Sequence, residues 1–194
     1  LVVGLTLALV AGGCGPEKRV QRVSAGEQLD LSGKWNDTDS QAVSAEMIKD
    51  ALSFPWADEY NRKAGKKPVV VAFGVKNRTS EHINTATFMK DLERSFLRSG
   101  KAGVVADRDQ RKELREERAD QQGGFVGNPA AIGKEVGADF VLTGEINSIS
   151  DRQGKSEVIF YQANLELINT TSNEKVWIGE KKIKKLIDRA SSKF

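Results

Sequence analysis

The stretch PVVVAFGVKNRTSEHINT, from Pro68 to Thr85, decides the fold. Its first part, residues 69–75, is a continuous apolar run rich in β-branched residues. Such a run suits a strand buried on both faces rather than a half-exposed one. A polar stretch follows at 76–84, and Thr85 then caps a helix with Phe88, Leu92 and Phe96 at four-residue spacing beside Met89 and Leu97. Gly100 ends that helix and GVVA at 103–106 is a short strand. Strand, helix and strand in this order predict a β-α-β unit with a right-handed crossover.

On the N-terminal side, Asp39 or Thr38 is expected to cap a helix over 40–52. Its apolar face is Val43, Met47, Ile48, Ala51 and Leu52, and Pro55 stops it. A basic turn, RKAGKK, leads into the buried strand. On the C-terminal side, Asp107 caps a nearly all-charged surface helix reaching about Gln121. Asn128 and Pro129 open a fourth helix that ends at Gly137. Three strands close the chain, at 138–148, 156–169 and 175–185. In the second, Tyr161, Ala163, Leu165 and Leu167 face one way and Gln162, Asn164 and Glu166 the other. The links DRQGK and TTSNE are turn-like, so these strands form an antiparallel meander. The fold class is therefore α/β (α+β), one mixed sheet flanked by helices, over residues 38–187, with a C-terminal tail at 188–194.

Residues 1–13, LVVGLTLALVAGG, are uncharged and almost wholly apolar. They are too short for a membrane span, which needs about 20 residues, and have the texture of the h-region of a secretory signal. The chain opens on Leu1, and a basic n-region is expected ahead of it. The sole cysteine, Cys14, ends this run in VAGGCG. That pattern resembles the lipobox of bacterial lipoproteins, which implies an acylated Cys14 and leaves no thiol for a disulfide, nucleophile or metal site. Residues 14–37 then read as lipidated cysteine and tether. The 23 residues after Cys14 extend to roughly 75–80 Å, or about 25–30 Å as a flexible coil. Trp35 is expected to pack onto the domain.

Lys+Arg 30 against Asp+Glu 27 gives a net charge of +3, which argues against a nucleic-acid partner. No phosphate-binding glycine loop, HExxH or GxSxG occurs, and His82 is the one histidine. Its neighbours Ser80 and Glu81 are too close in sequence to form a catalytic line. Capping explains the acids of DTD at 37–39 better than a metal does. No cofactor is expected, and no acid pair points to a wall hydrolase. KKIKK at 181–185 reads as a basic edge strand or as a contact for anionic lipid or cell wall. The loop at 76–84 has two readings, a capping turn or a partner contact made by Arg78, Glu81 and His82 on a rigid scaffold.

The order VVVAFGVKNRTSEHINT, FMKDLERSFLRSGK, VVADRDQRKELREER, IGKEVGADFVLTGEINS and YQANLELINTTSNEKVWIGEKKIKK, after a cysteine tether, resembles the LpoB family of outer-membrane lipoproteins. The resemblance spans about residues 32–187, and its most specific pieces are NRT at 77–79 and VGADFVLTGEI at 136–146. It implies a fold related to the N-terminal domain of TolB. It also implies a non-enzymatic, lipid-anchored periplasmic regulator that docks on a class A penicillin-binding protein, with peptidoglycan as a possible further contact. A second resemblance is to the soluble domain of CsgG-type lipoproteins of envelope assembly or secretion. The pair of amphipathic hairpins that a pore of that type requires is not found outside the core strands.

Overall fold

The computed structural model describes residues 20–188 apart from Ile132 and Lys134. The apolar stretch 1–13, Cys14 and most of the C-terminal tail lie outside the described residues.

Helices α1 (Asp37–Ser53) and α2 (Trp56–Ala64) precede strand β1 (Val69–Asn77). Then come α3 (Thr85–Ser99), β2 (Gly103–Val105) and α4 (Arg108–Asp120). Strands β3 (Phe140–Gln153), β4 (Ser156–Asn169) and β5 (Lys175–Asp188) follow. The five strands form one sheet in the order β2-β1-β3-β4-β5. β1 is parallel to both β2 and β3, whereas β3–β4 and β4–β5 are antiparallel. The mixed sheet with a β-α-β front and an antiparallel meander is thus as expected. Its register follows the pleat: Ile159, Tyr161, Ala163, Leu165 and Leu167 are all buried, one face of β4 at period two.

That face packs on α1 and α3 through Val43, Met47, Phe88, Leu92 and Phe96, each no more than 2% exposed. Trp56 closes one end of the core. Its ring meets Phe140 edge-on at 5.2 Å, and its indole N–H donates to Ala51 O at 2.9 Å. Burying the indole with its polar edge satisfied is what anchors α2. This helix was not expected from the sequence. It is short and polar, Pro55 stands at its N-cap, and its exit is the Gly65 of RKAGKK, at φ 66, the left-handed residue that ends many helices.

Two helix caps differ from expectation. Asn36, not Asp39 or Thr38, caps α1, and Asp39 closes a capping box back to the Asn36 N–H at 3.0 Å. Asn84 caps α3 and Thr85 is its first residue. A three-residue polar cluster offers several side chains able to cap, and composition alone does not choose among them. Asp107 caps α4, as expected, with Gln110 as its reciprocal partner.

The helix expected at 128–137 is absent among the described residues, which run irregularly from Val126 to Ala138. Gly127, Gly133 and Gly137 interrupt this segment, and Val136 is 63% exposed. A ten-residue helix with no buried face does not recover its nucleation cost. Arg115 and Arg118 instead pin the segment by gripping Glu135 at 2.8 and 3.1 Å. The Arg115 hydrogen bond holds the Glu135 carboxyl down at about 2.

Candidate functional site

The polar stretch after β1 is largely occupied with bonding itself. Asn77 Nδ2 donates to Glu81 O at 2.7 Å, and Asn77 Oδ1 accepts from Thr79 N–H at 3.0 Å. Thr79 Oγ1 accepts from the Glu81 N–H at 3.1 Å. Asn and Thr side chains replace backbone partners here, which fixes an irregular turn without secondary structure. Ile83, 8% exposed, tucks beneath it into the core.

Arg78, Glu81 and His82 point to different places. Arg78 Nε donates to Glu145 Oε2 on β3 at 3.0 Å. The Glu145 carboxyl is held below its ordinary range, first by the Asn147 amide and then by Arg78. His82 is exposed. Glu81 turns inward: its Oε1 accepts from the Tyr161 hydroxyl at 2.5 Å, and its Oε2 from the Trp35 main-chain N–H at 3.0 Å. The Trp35 ring stands edge-on to Tyr161 at 5.4 Å. Trp35 therefore packs onto the domain as expected. Glu81 is the carboxylate that ties the chain entering α1 to the middle of the sheet. Burial, followed by the Glu81 hydrogen bond and charge, drives the Tyr161 hydroxyl well above the ordinary phenol range, so it donates and stays neutral.

A second clasp lies beside it. Lys185 Nζ sits 2.8 Å from Asp30 Oδ1 and 2.6 Å from Asp39 Oδ2, and donates to Lys34 O at 3.1 Å. Its side chain is 12% exposed. Burial lowers its pKa, but the hydrogen bonds and charges of Asp30 and Asp39 outweigh this and raise it. KKIKK is thereby split by the pleat. Lys181 and Lys185 face the helices, paired with Glu46 and with the two aspartates. Lys182 pairs with Glu180 on the same strand at 2.8 Å, and Lys184 is exposed on the opposite face. The lysine run is thus divided between two faces rather than forming one continuous cationic patch.

One feature of the site was missed in the sequence. A cleft of about 720 Å3 opens where β1 continues beyond β2, between the N-terminal turns of α3 and α4. Phe73, Gly74, Val75, Lys76, Met89 and Arg108 are among its lining. The signal was the lone glycine in the strand run. Gly74 has φ 96, and the β1–β3 register slips between Ala72 and Gly74. That bulge brings Phe73 to the surface, 63% exposed. Among the described residues no group of three His, Cys, Asp or Glu could hold a metal ion. No described helix is long and apolar enough to cross a membrane.

A family model described as the peptidoglycan-synthase activator LpoB matches residues 39–183. No curated protein matches the sequence. Among solved structures, the chain is similar to the C-terminal domain of LpoB from Salmonella enterica. The identity is 15% and the TM-score 0.43, over 75% of this chain and 98% of that one. It is similar also to Escherichia coli LpoB, at 16% identity and TM-score 0.41, covering 95% and 91%. A third is lipoprotein GNA1162 of Neisseria meningitidis, at 16% identity and TM-score 0.39, covering 64% and 88%.

Proposed function

The chain belongs to the LpoB family of peptidoglycan-synthase activators, and from that premise we propose that it binds a class A penicillin-binding protein and stimulates its glycosyltransferase and transpeptidase activities, with no catalysis of its own. The observation that carries this reading is the family match across residues 39–183. The bonding of the loop after β1 supports it. Its polar side chains are spent on holding the turn and on Glu81–Tyr161, an arrangement suited to a rigid contact surface. Arg78 and His82 are the proposed contacts there, and Glu81 sets the loop's position beneath them.

The cysteine of VAGGCG supports a lipid anchor at Cys14. A single acyl chain binds membranes marginally and reversibly, whereas two or more hold stably. The proposed location is the outer membrane, facing the periplasm.

The test is a capture experiment. The full chain is immobilised in detergent, solubilised membranes of the source organism are passed over it, and retained penicillin-binding proteins are detected with fluorescent penicillin. A retained class A protein whose glycan polymerisation rises on adding the chain is the expected result. A folded chain that retains none overturns the reading, as does a chain that degrades peptidoglycan unaided.

A further inference from the structure

β2 pairs with β1 only along Val69–Val71, whereas β1 runs on to Asn77 against β3. Beyond Ala72, one edge of β1 has no strand beside it among the described residues. The direction of its peptide groups is fixed by Arg78, whose N–H donates to Ile146 O on β3 at 2.8 Å. Peptide groups alternate along a strand, so Lys76 turns toward β3 with Arg78, and Val75 and Asn77 turn outward. Among the described residues, no backbone hydrogen bond reaches Val75 or Asn77 from that side. The bulge before Gly74 sets this phase.

This edge lines the 720 Å3 cleft. Phe73 offers an exposed aromatic ring beside it, and Ala72 and Met89 form a buried apolar wall. The charged groups of the rim are not equivalent. Lys90 is held by Glu93 at 2.7 Å, and the Asp107 carboxylate caps α4 through the Gln110 N–H at 2.9 Å. Lys76 and Arg108 are exposed and form no salt bridge with another described residue, though Lys76 lies within the field of Glu145 and Asp109 stands next to Arg108 on the rim. The two outer edges of the sheet also differ. β5 carries five lysines, Lys175, Lys181, Lys182, Lys184 and Lys185, the kind of charge that deters strand addition. The open stretch of β1 has Lys76 alone.

We propose that the open edge of β1 takes an extended segment of the penicillin-binding partner as an added strand. An apolar residue of that segment rests on Phe73, and acidic residues meet Lys76 and Arg108. A row of outward main-chain donors and acceptors is matched by another main chain, with side-chain pockets supplying selectivity. Arg78 and the loop that carries His82 continue directly from this edge. The inference rests on the activator reading and specifies the contact within it.

The experiment uses the full chain in detergent and a purified class A penicillin-binding protein from the same organism. Phe73→Glu, and separately Lys76→Glu with Arg108→Glu, are expected to weaken binding at least tenfold while the thermal midpoint stays near that of the unaltered chain. Amide exchange followed by NMR reads the main chain directly. The Val75 and Asn77 amides are expected to exchange at least tenfold more slowly in the complex. This readout needs no variant, so it decides even where Phe73→Glu fails to fold. If the unaltered chain does not bind the enzyme, the activator reading falls and takes this inference with it. If it binds while both amides exchange at the free rate, strand addition alone is overturned. Protection that appears instead with self-association of the isolated chain places a second copy on the edge and overturns the partner assignment.

Discussion

The Tyr161 hydroxyl donates to Glu81 Oε1 at 2.5 Å, joining the loop after β1 to the centre of β4. Tyr161 is 0% exposed, and the Trp35 N–H donates to Glu81 Oε2 at 3.0 Å and to the Tyr161 hydroxyl oxygen at 3.1 Å. Hydrogen bonds to a charged group contribute about 1.5–3 kcal/mol each. Tyr161→Phe and Glu81→Ala are each expected to lower unfolding free energy by about 2 kcal/mol, with the double variant well short of additive. His82→Ala, next in sequence but exposed, is expected within about 0.5 kcal/mol of the unaltered chain. Urea denaturation checks all four; an additive double variant shows that the two side chains act separately.

Lys185 neutralises Asp39, a carboxylate only 6% exposed. Lys185→Ala leaves that charge with the Asn36 N–H as its remaining hydrogen-bond donor among the described residues. Breaking a fully buried pair costs about 3–5 kcal/mol, and partial exposure of this one brings the expectation to about 2–3 kcal/mol. Lys184→Ala, one residue away on the exposed face, is expected to be near neutral. Equal losses from both substitutions would show that the clasp contributes nothing specific.

The sheet was legible because its residues obey one period. The run at 69–75 and the alternation from Tyr161 to Leu167 each admit a single burial pattern, and a register slip would turn the whole apolar set to water. What escaped depended on contacts distant in sequence. Trp56 makes α2 a structural element only because Phe140 lies beneath it. The helix proposed at 128–137 had a capping residue and a proline but no face to bury. At the site, Arg78, Glu81 and His82 could be singled out as a polar loop. That Glu81 turns inward follows from Tyr161, 80 residues later, which no local pattern reports. The cleft was signalled only by Gly74, because a bulge leaves one glycine as its mark.

Gly144 on β3 stands opposite Leu165 on β4. A Cβ there would stand 2.2 Å from Asn164 O and 2.6 Å from Leu165 Cδ2. The carbonyl is main chain held in the ladder, so the clash is relieved only by parting the strands. Gly144→Ala is expected to cost about 3 kcal/mol or more, at the severe end for a single substitution. Gly154→Ala, at φ 59 in the β3–β4 turn with no atom near its Cβ position, is expected to cost about 1 kcal/mol through backbone strain alone. Thermal melts of the two variants check the order, and a milder effect at Gly144 would mean the strands separate easily.

Tyr161 and Lys185 predict how stability depends on alkaline pH. Both have pKa values raised in the folded chain above their reference values of 10.0 and 10.5, Tyr161 by burial and then Glu81, and Lys185 by its aspartates against burial. Above about pH 10 the unfolded chain releases these protons while the folded chain keeps them. The unfolded state then binds fewer protons, so stability falls as pH rises through this window and is fully present below it. Unfolding free energy from urea titrations is therefore expected to be insensitive to these groups between pH 7 and 9 and to drop above about pH 10. Phenylalanine has no proton to release, so the stability gap between the unaltered chain and Tyr161→Phe is expected to narrow across the same window. A gap that stays constant to pH 11.5 would show that Tyr161 ionises as readily in the folded chain as in the unfolded one, and that the bond to Glu81 does not hold its proton.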